Sequence, residues 1–209
     1  MEKESKKVLI TTFYEGYAVK QAILKLSPEK VIILIDDPKD SSKKEKMYEI
    51  LNSIEQFYKP HVTFEKLKIS SYDIPKITSE VIKKIDEECE KGNKILIHVT
   101  EGRKISSLGL LFSSYMRRDK VEGAYYITEE DHSLINLPLI NFQISEIKKQ
   151  LLKEIFLGKS ETSSLLKEVS DVGKSAIYQN LKELKQEGYI QNGDNKELSI
   201  TDLGRIVIL

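Results

Sequence analysis

The sequence predicts an α/β protein: a mostly parallel sheet covered by helices, followed by a smaller module of helices and one hairpin. Three observations carry this. Apolar strand-length runs alternate with amphipathic helical stretches over the first 140 residues, the pattern of a parallel sheet with helical crossovers. The runs VLITTF at 8–13 and VIILI at 31–35 are continuously apolar, as strands buried on both faces must be. After residue 140 the alternation stops, and helical stretches, a tight turn and an Asn-Gly hairpin signal follow.

Taken in order, residues 8–13 read as the first strand. Ala18, Val19, Ala22, Ile23 and Leu26 then mark one face of a helix. VIILI is the second strand. Met47, Ile50, Leu51, Ile54 and Phe57 form the stripe of a second helix, and the alternating VTFEKLKI at 62–69 is a third strand. Ile74, Ile77, Val81, Ile85 and Cys89 line a third helix, where Cys89 reads as a small buried apolar residue. KILIHV is the fourth strand, 103–116 the fourth helix, GAYYIT from 123 the fifth strand, and 132–140 a sixth.

Ile144, Ile147, Leu151 and Ile155 then make a helix with no strand after it, ended by Gly158. TSSLLKEVS is a short helix with Thr162 or Ser163 as N-cap. SDVG turns into GKSAIYQNLKELKQEG, closed by Gly188 in the C′ position. YIQ, NGDN and KELSI form the hairpin, and TDLGRIVIL ends the sequence. The domain boundary falls near 141–145, giving domains 1–142 and 143–209.

Composition narrows the function. The 209 residues carry 33 basic and 33 acidic side chains, a balance unlike that of a nonspecific polyanion binder. One cysteine excludes an internal disulfide and any Cys–Cys zinc spacing. The N-terminal residues have no apolar stretch of signal length, and no run approaches a membrane span. A cytoplasmic protein with no membrane partner is the expectation. Arginine occurs only at 103, 117, 118 and 205, so 29 of the 33 basic residues are lysine, a weak sign of a thermophile or an AT-rich genome. His61, His98 and His132 lie scattered in strand contexts and read as structural, with no metal site.

The ends of parallel strands are where α/β domains bind ligands. Two stand out: 11-TTFYEGY-17 after the first strand and 98-HVTEGRKISSLG-109 after the fourth. Neither is a dinucleotide or P-loop fingerprint. Gly102 permits close backbone approach, and the amides near 103–106 open a helix whose N-terminus favours an anion. Arg103 and Lys104 sit where the helix dipole disfavours cations unless a counter-anion is present. This favours an anionic ligand over a solvated turn.

The T-x-G-x-K pattern of Thr100, Gly102 and Lys104, followed by ISSLGLLFSSY and YYITEE, resembles the CARF domain (CRISPR-associated Rossmann fold), and TTFYEG matches that family's other loop. The resemblance implies a Rossmann-like domain and a homodimer sharing one pocket for a cyclic oligoadenylate, often cyclic tetra-adenylate. It implies no obligatory cofactor. Carried across, the ligand-binding residues are Thr11, Thr12, Phe13, Tyr14, Glu15 and Gly16 in one loop and Thr100, Glu101, Gly102, Arg103 and Lys104 in the other. Two copies of Arg103 and Lys104 would set four cations beside a four-phosphate ring. Glu101 departs from the family, which commonly has a small residue there; on the ring face its carboxylate would cost affinity.

In the second domain, a helix–turn–helix followed by a hairpin is the winged-helix arrangement. Ile177, Leu181 and Leu184 face a core, so Lys174, Ser175, Tyr178, Gln179 and Lys182 share the opposite face. Its donors suit base edges and phosphates. Asn192, Asn195 and Lys196 on the wing would reach the backbone or minor groove. Ten basic and ten acidic residues lie between 146 and 209, and Glu183, Glu187 and Asp194 would repel phosphate. The run SSLLKEVSDVGKSAIYQNLKELKQEGYI with LSITDLGR resembles prokaryotic winged-helix transcription regulators. The pair together resembles CRISPR-associated CARF–winged-helix regulators. That implies a ligand-gated regulator binding double-stranded DNA at a near-palindromic operator. Two alternatives stand beside it. One is a ring nuclease that slowly cleaves its ligand using Lys104, Arg103 and Tyr14, although no dedicated general base is visible. The other is a winged helix that contacts protein. A HEPN ribonuclease is excluded, because no arginine is followed five residues on by histidine.

Overall fold

The computed structural model describes residues 5–35, 41–70, 72–140, 144–169, 172–193 and 197–209. The chain divides into two compact units, Met1–Asn141 and Phe142–Leu209.

The first unit alternates strand and helix: β1 (Lys7–Thr12), α1 (Tyr17–Leu26), β2 (Lys30–Ile35), α2 (Ser41–Tyr58), β3 (Thr63–Lys68), α3 (Ile74–Glu90), β4 (Lys94–His98), α4 (Lys104–Met116), β5 (Val121–Ile127) and β6 (Leu134–Leu137). The sheet order is β3-β2-β1-β4-β5-β6. The first five strands are parallel, and β6 pairs antiparallel with β5.

The apolar strands are buried on both faces because their side chains alternate between two cores. Leu9, Val31, Ile33 and Ile35 pack with Val19, Ala22 and Ile23 of α1 and Met47, Leu51 and Ile54 of α2. Val8, Ile10, Ile32, Leu34, Ile95 and Ile97 pack on the other face with Ile77, Val81 and Ile85 of α3 and Leu110 of α4. The result is three layers. α3 and α4 approach so closely that a Cβ on Gly109 would lie 2.5 Å from Ile77 Cγ2. At the N-terminal edge of the sheet, Glu88 is buried beside Lys30 of β2. Burial alone would raise its pKa, but hydrogen bonds from Lys91, Lys30 and Asn93 outweigh that and hold it down at about 2.

The second unit has its own core of Leu151, Leu152, Ile155, Leu165, Val169, Ile177, Leu181, Leu184 and Ile190. Its elements are α5 (Glu146–Phe156), α6 (Thr162–Glu168), α7 (Lys174–Gln186), an antiparallel pair β7 (Ile190–Asn192) and β8 (Leu198–Ile200), and α8 (Asp202–Val207). Gly188, at φ 79, closes the turn after α7.

Several expectations are corrected. Phe57, placed on the buried stripe of α2, is 76% exposed; the stripe continues from Ile54 to Tyr58, which packs against the core in its place. The α6 N-cap is Glu161 rather than Thr162 or Ser163, and Thr162 is already helical. β6 spans four residues of the expected nine. The closing TDLGRIVIL forms a helix, capped by Thr201, whose hydroxyl oxygen accepts from the Gly204 amide. Gly204 is required there, since a Cβ would meet the Tyr189 carbonyl oxygen at 2.3 Å. Of the histidines, only His98 lies on a strand; His61 lies in the turn after α2 and His132 in the connection between β5 and β6.

Candidate functional site

The strand order reverses between β1 and β4: one branch of the chain builds outward through β2 and β3, the other through β5 and β6. A crevice therefore opens beyond the C-terminal ends of β1 and β4. Both loops singled out in the sequence emerge there, each feeding a helix N-terminus.

Those two N-termini are treated differently. α1 has no acidic residue in its first turn, and its N-cap, Gly16, has no side chain to offer. Glu101 supplies the missing anion from the other loop. Its carboxylate accepts from the amides of Gly16 at 2.7 Å, Ala18 at 2.6 Å and Tyr14 at 3.2 Å. This satisfies orphan donors and complements the helix dipole. Glu101 is thus spent on the first loop, and the two loops are tied together. Gly102 makes the approach feasible: its φ is 88, and a Cβ there would lie 3.0 Å from Thr12 Cβ and 3.3 Å from the Phe13 amide nitrogen.

Below the loops lies a buried polar relay. Thr11 Oγ1 donates its only proton to the Thr12 carbonyl at 2.9 Å and contacts His98 Nδ1 at 2.8 Å, so Nδ1 must be the donor of that second bond. His98 Nε2 then accepts from the Thr100 hydroxyl at 2.7 Å, and Thr100 Oγ1 accepts from the Ile127 amide at 2.7 Å. Burial keeps the imidazole neutral, pushing its pKa down to about 4. The hydroxyls of Thr11 and Thr100 therefore brace the ends of β1, β4 and β5.

α4 carries no such carboxylate cap. Its N-cap is Arg103 with no side-chain cap bond, and its first turn has no acid. Beside it is a cavity of about 490 Å³. Thr12 lines it from the end of β1, Phe13, Tyr14 and Glu15 from the first loop, Gly102 and Arg103 from the second, Ser106 from α4 and Leu34 from β2. Thr12 and Ser106 are 1% and 2% exposed, and neither hydroxyl has a hydrogen-bond partner among the described residues. A buried donor without an acceptor is costly, and a bound anion would relieve it.

Sequence reading missed one wall of this cavity. α2 contributes Lys43, Lys46, Met47 and Ile50. Their relation to β1 depends on how α2 packs across the sheet, which no local motif carries; Ser106 could have been found from its place in the first turn of α4. Lys104 is exposed at the start of α4, and Lys104, Thr11, Gly16, Thr100 and Glu101 do not line the cavity.

In the second unit, Lys174, Ser175, Tyr178, Gln179 and Lys182 are all exposed on the face of α7 opposite Ile177, Leu181 and Leu184. Asn195 and Lys196 lie outside the described residues, as does Asp194. Glu183 and Glu187 do not stand as bare repelling charges: Lys148 of α5 pairs with them at 3.1 and 2.8 Å. Hydrogen bonds from Gln179 and then Lys148 lower the Glu183 pKa. Asn192 accepts from Lys185 at 2.8 Å.

No protein-family model and no curated protein matches the chain. Among solved structures, Enterococcus italicus Csm6 bound to cyclic hexa-2'-fluoro-hexa-dAMP matches with a TM-score of 0.53 and 11% identity, over 88% of this chain and 55% of that one. Can2 from Sulfobacillus thermosulfidooxidans, in complex with cyclic tetra-adenylate, matches with a TM-score of 0.44 and 10% identity, over 97% and 63%. A type III CRISPR defence DNA nuclease activated by cyclic oligoadenylate matches with a TM-score of 0.47 and 14% identity, over 88% and 30%. The chain thus spans about half the length of the Csm6 chain. The likeness to Csm6 establishes a shared α/β fold built on a mostly parallel sheet.

Proposed function

We propose that the first unit is a CARF domain that binds a cyclic oligoadenylate, and that the chain works as a homodimer whose second unit is a DNA-binding winged helix. The observation that carries the ligand reading is the cavity at the α4 N-terminus, where Arg103 lies beside the partnerless hydroxyls of Thr12 and Ser106. A phosphodiester is an anion with several acceptor oxygens. It would complement the helix dipole, pair with the guanidinium and accept a hydrogen bond from each hydroxyl. Phe13, Met47 and Ile50 supply apolar wall for a base. The fold shared with Csm6 is consistent with this ligand class.

The DNA reading rests on the element order of the second unit and the exposed polar face of α7. Ligand would alter DNA affinity only by binding two arrangements of the dimer unequally. Calorimetric titration with cyclic tetra-adenylate and cyclic hexa-adenylate tests the first part. Saturable binding is expected, with one ring per two chains, weakened about tenfold or more by Arg103→Ala, since charged hydrogen bonds contribute about 1.5–3 kcal/mol. Absence of binding to either ring would sink the reading. Fluorescence anisotropy with operator DNA tests the second, with Lys182→Ala expected to weaken binding and reduce its salt slope by about one.

A further inference from the structure

Tyr72 stands out in the loop between β3 and α3. Its backbone is left-handed at φ 65, a conformation that is an outlier for a bulky residue. Its side chain is 66% exposed, so core packing does not require that conformation. It does touch the site: Arg103 donates from Nη1 to the Tyr72 hydroxyl, and the guanidinium carbon lies 5.2 Å from the ring centroid. Asp73, the next residue, caps α3 by accepting from the Lys76 amide at 3.0 Å, and Pro75 opens the helix, so the loop is fixed on one side. α3 and α4 pack side by side, which brings the start of one to the start of the other.

Strained residues persist where the surroundings hold them, and they gather at ligand sites. An exposed aromatic ring beside the cation that lines an anion cavity is also the arrangement used to stack a nucleobase whose phosphate sits on that cation. From this geometry we infer that Tyr72 is a base-stacking residue at the rim of the site: its ring stacks a purine of the nucleotide whose phosphate is held by Arg103. The inference rests on the nucleotide reading of the cavity and adds a residue outside both sequence motifs. It explains why an L-residue with a large ring occupies a position whose backbone favours glycine.

The test compares two probes, cyclic tetra-adenylate and inorganic tripolyphosphate, which has charge but no base. Tyr72→Ala is expected to weaken the adenylate ring by about tenfold and tripolyphosphate by less than about threefold, whereas Tyr72→Phe, which keeps the ring, stays within about threefold for both. Arg103→Ala weakens both probes. Tyr72→Gly guards against misfolding: it should bind as Tyr72→Ala does while raising the melting temperature by about 2–4 °C through relief of the left-handed strain. Equal loss for both probes, or none for the ring, in Tyr72→Ala and Tyr72→Gly would overturn the role of Tyr72 while leaving the Arg103 site standing. If the unaltered chain binds neither probe, the nucleotide reading fails and the stacking role falls with it.

Discussion

Glu101 is the sharpest place to perturb this protein, because two accounts of it make opposite predictions. If its carboxylate faced the ligand, removing it would help binding. The structure instead gives it three amide donors at the α1 N-terminus. A hydrogen bond to a charged acceptor contributes about 1.5–3 kcal/mol. The three share one carboxylate, and the Tyr14 contact is exposed, so water replaces part of the loss. Glu101→Ala should therefore cost about 2–4 kcal/mol, which at this chain length lowers the melting temperature by about 5–10 °C. Glu101→Gln should behave similarly, because its NH2 group would point a donor at amide donors. Hydrogen exchange read by NMR localises the effect: the Gly16 and Ala18 amides should exchange faster. Ligand affinity should fall, since Thr12, Phe13 and Tyr14 lose their anchor. An unchanged melting temperature together with tighter ligand binding in Glu101→Ala would refute this reasoning.

Other predictions follow the same physics. His98 is neutral and buried with a pKa of about 4, below its usual 6.5, so between those values the unfolded chain binds a proton that the folded chain does not. Stability contributed by His98 is complete above pH 6.5 and falls as pH drops towards 4, by up to about 3 kcal/mol; urea unfolding at pH 7 and 4.5 should show the loss, and His98→Gln should flatten it. Gly109→Ala would stabilise an ordinary helix by up to about 1 kcal/mol. Here the clash with Ile77 should reverse the sign, for a net loss of about 1–2 kcal/mol in chemical denaturation. Lys46→Ala, on the cavity wall, should weaken cyclic oligoadenylate by about three- to tenfold and flatten the salt dependence, leaving the melting temperature unchanged.

The strands were legible because burial on both faces leaves continuous apolar runs, as in VIILI, and the helices because their stripes match the spacing of α1 and α3. Phe57 misled because two apolar residues stand side by side there: Tyr58, at i+4 from Ile54, takes the core position, and Phe57, at i+3, is left in solvent. The final helix was not legible, being six residues long and specified by the Thr201 cap and the contact at Gly204 rather than by periodicity. At the site, the two loops and Gly102 could be read from local chemistry. The partition of roles could not. Glu101 is paired with amides more than 80 positions away, Thr11 and Thr100 turn their hydroxyls to His98, and α2 delivers Lys43 and Lys46 across the sheet. Each depends on strand order, which a linear pattern does not encode. The acidic residues of α7 show the same gap, since Lys148 reaches them from another helix.

A crystal structure of the chain with cyclic tetra-adenylate tests the central claim most directly. The account predicts a phosphate within hydrogen-bond distance of the Thr12 and Ser106 hydroxyls and the Arg103 guanidinium, with Glu101 still on the Gly16 and Ala18 amides. A ring bound elsewhere, with that cavity empty and the two hydroxyls still partnerless, would contradict it.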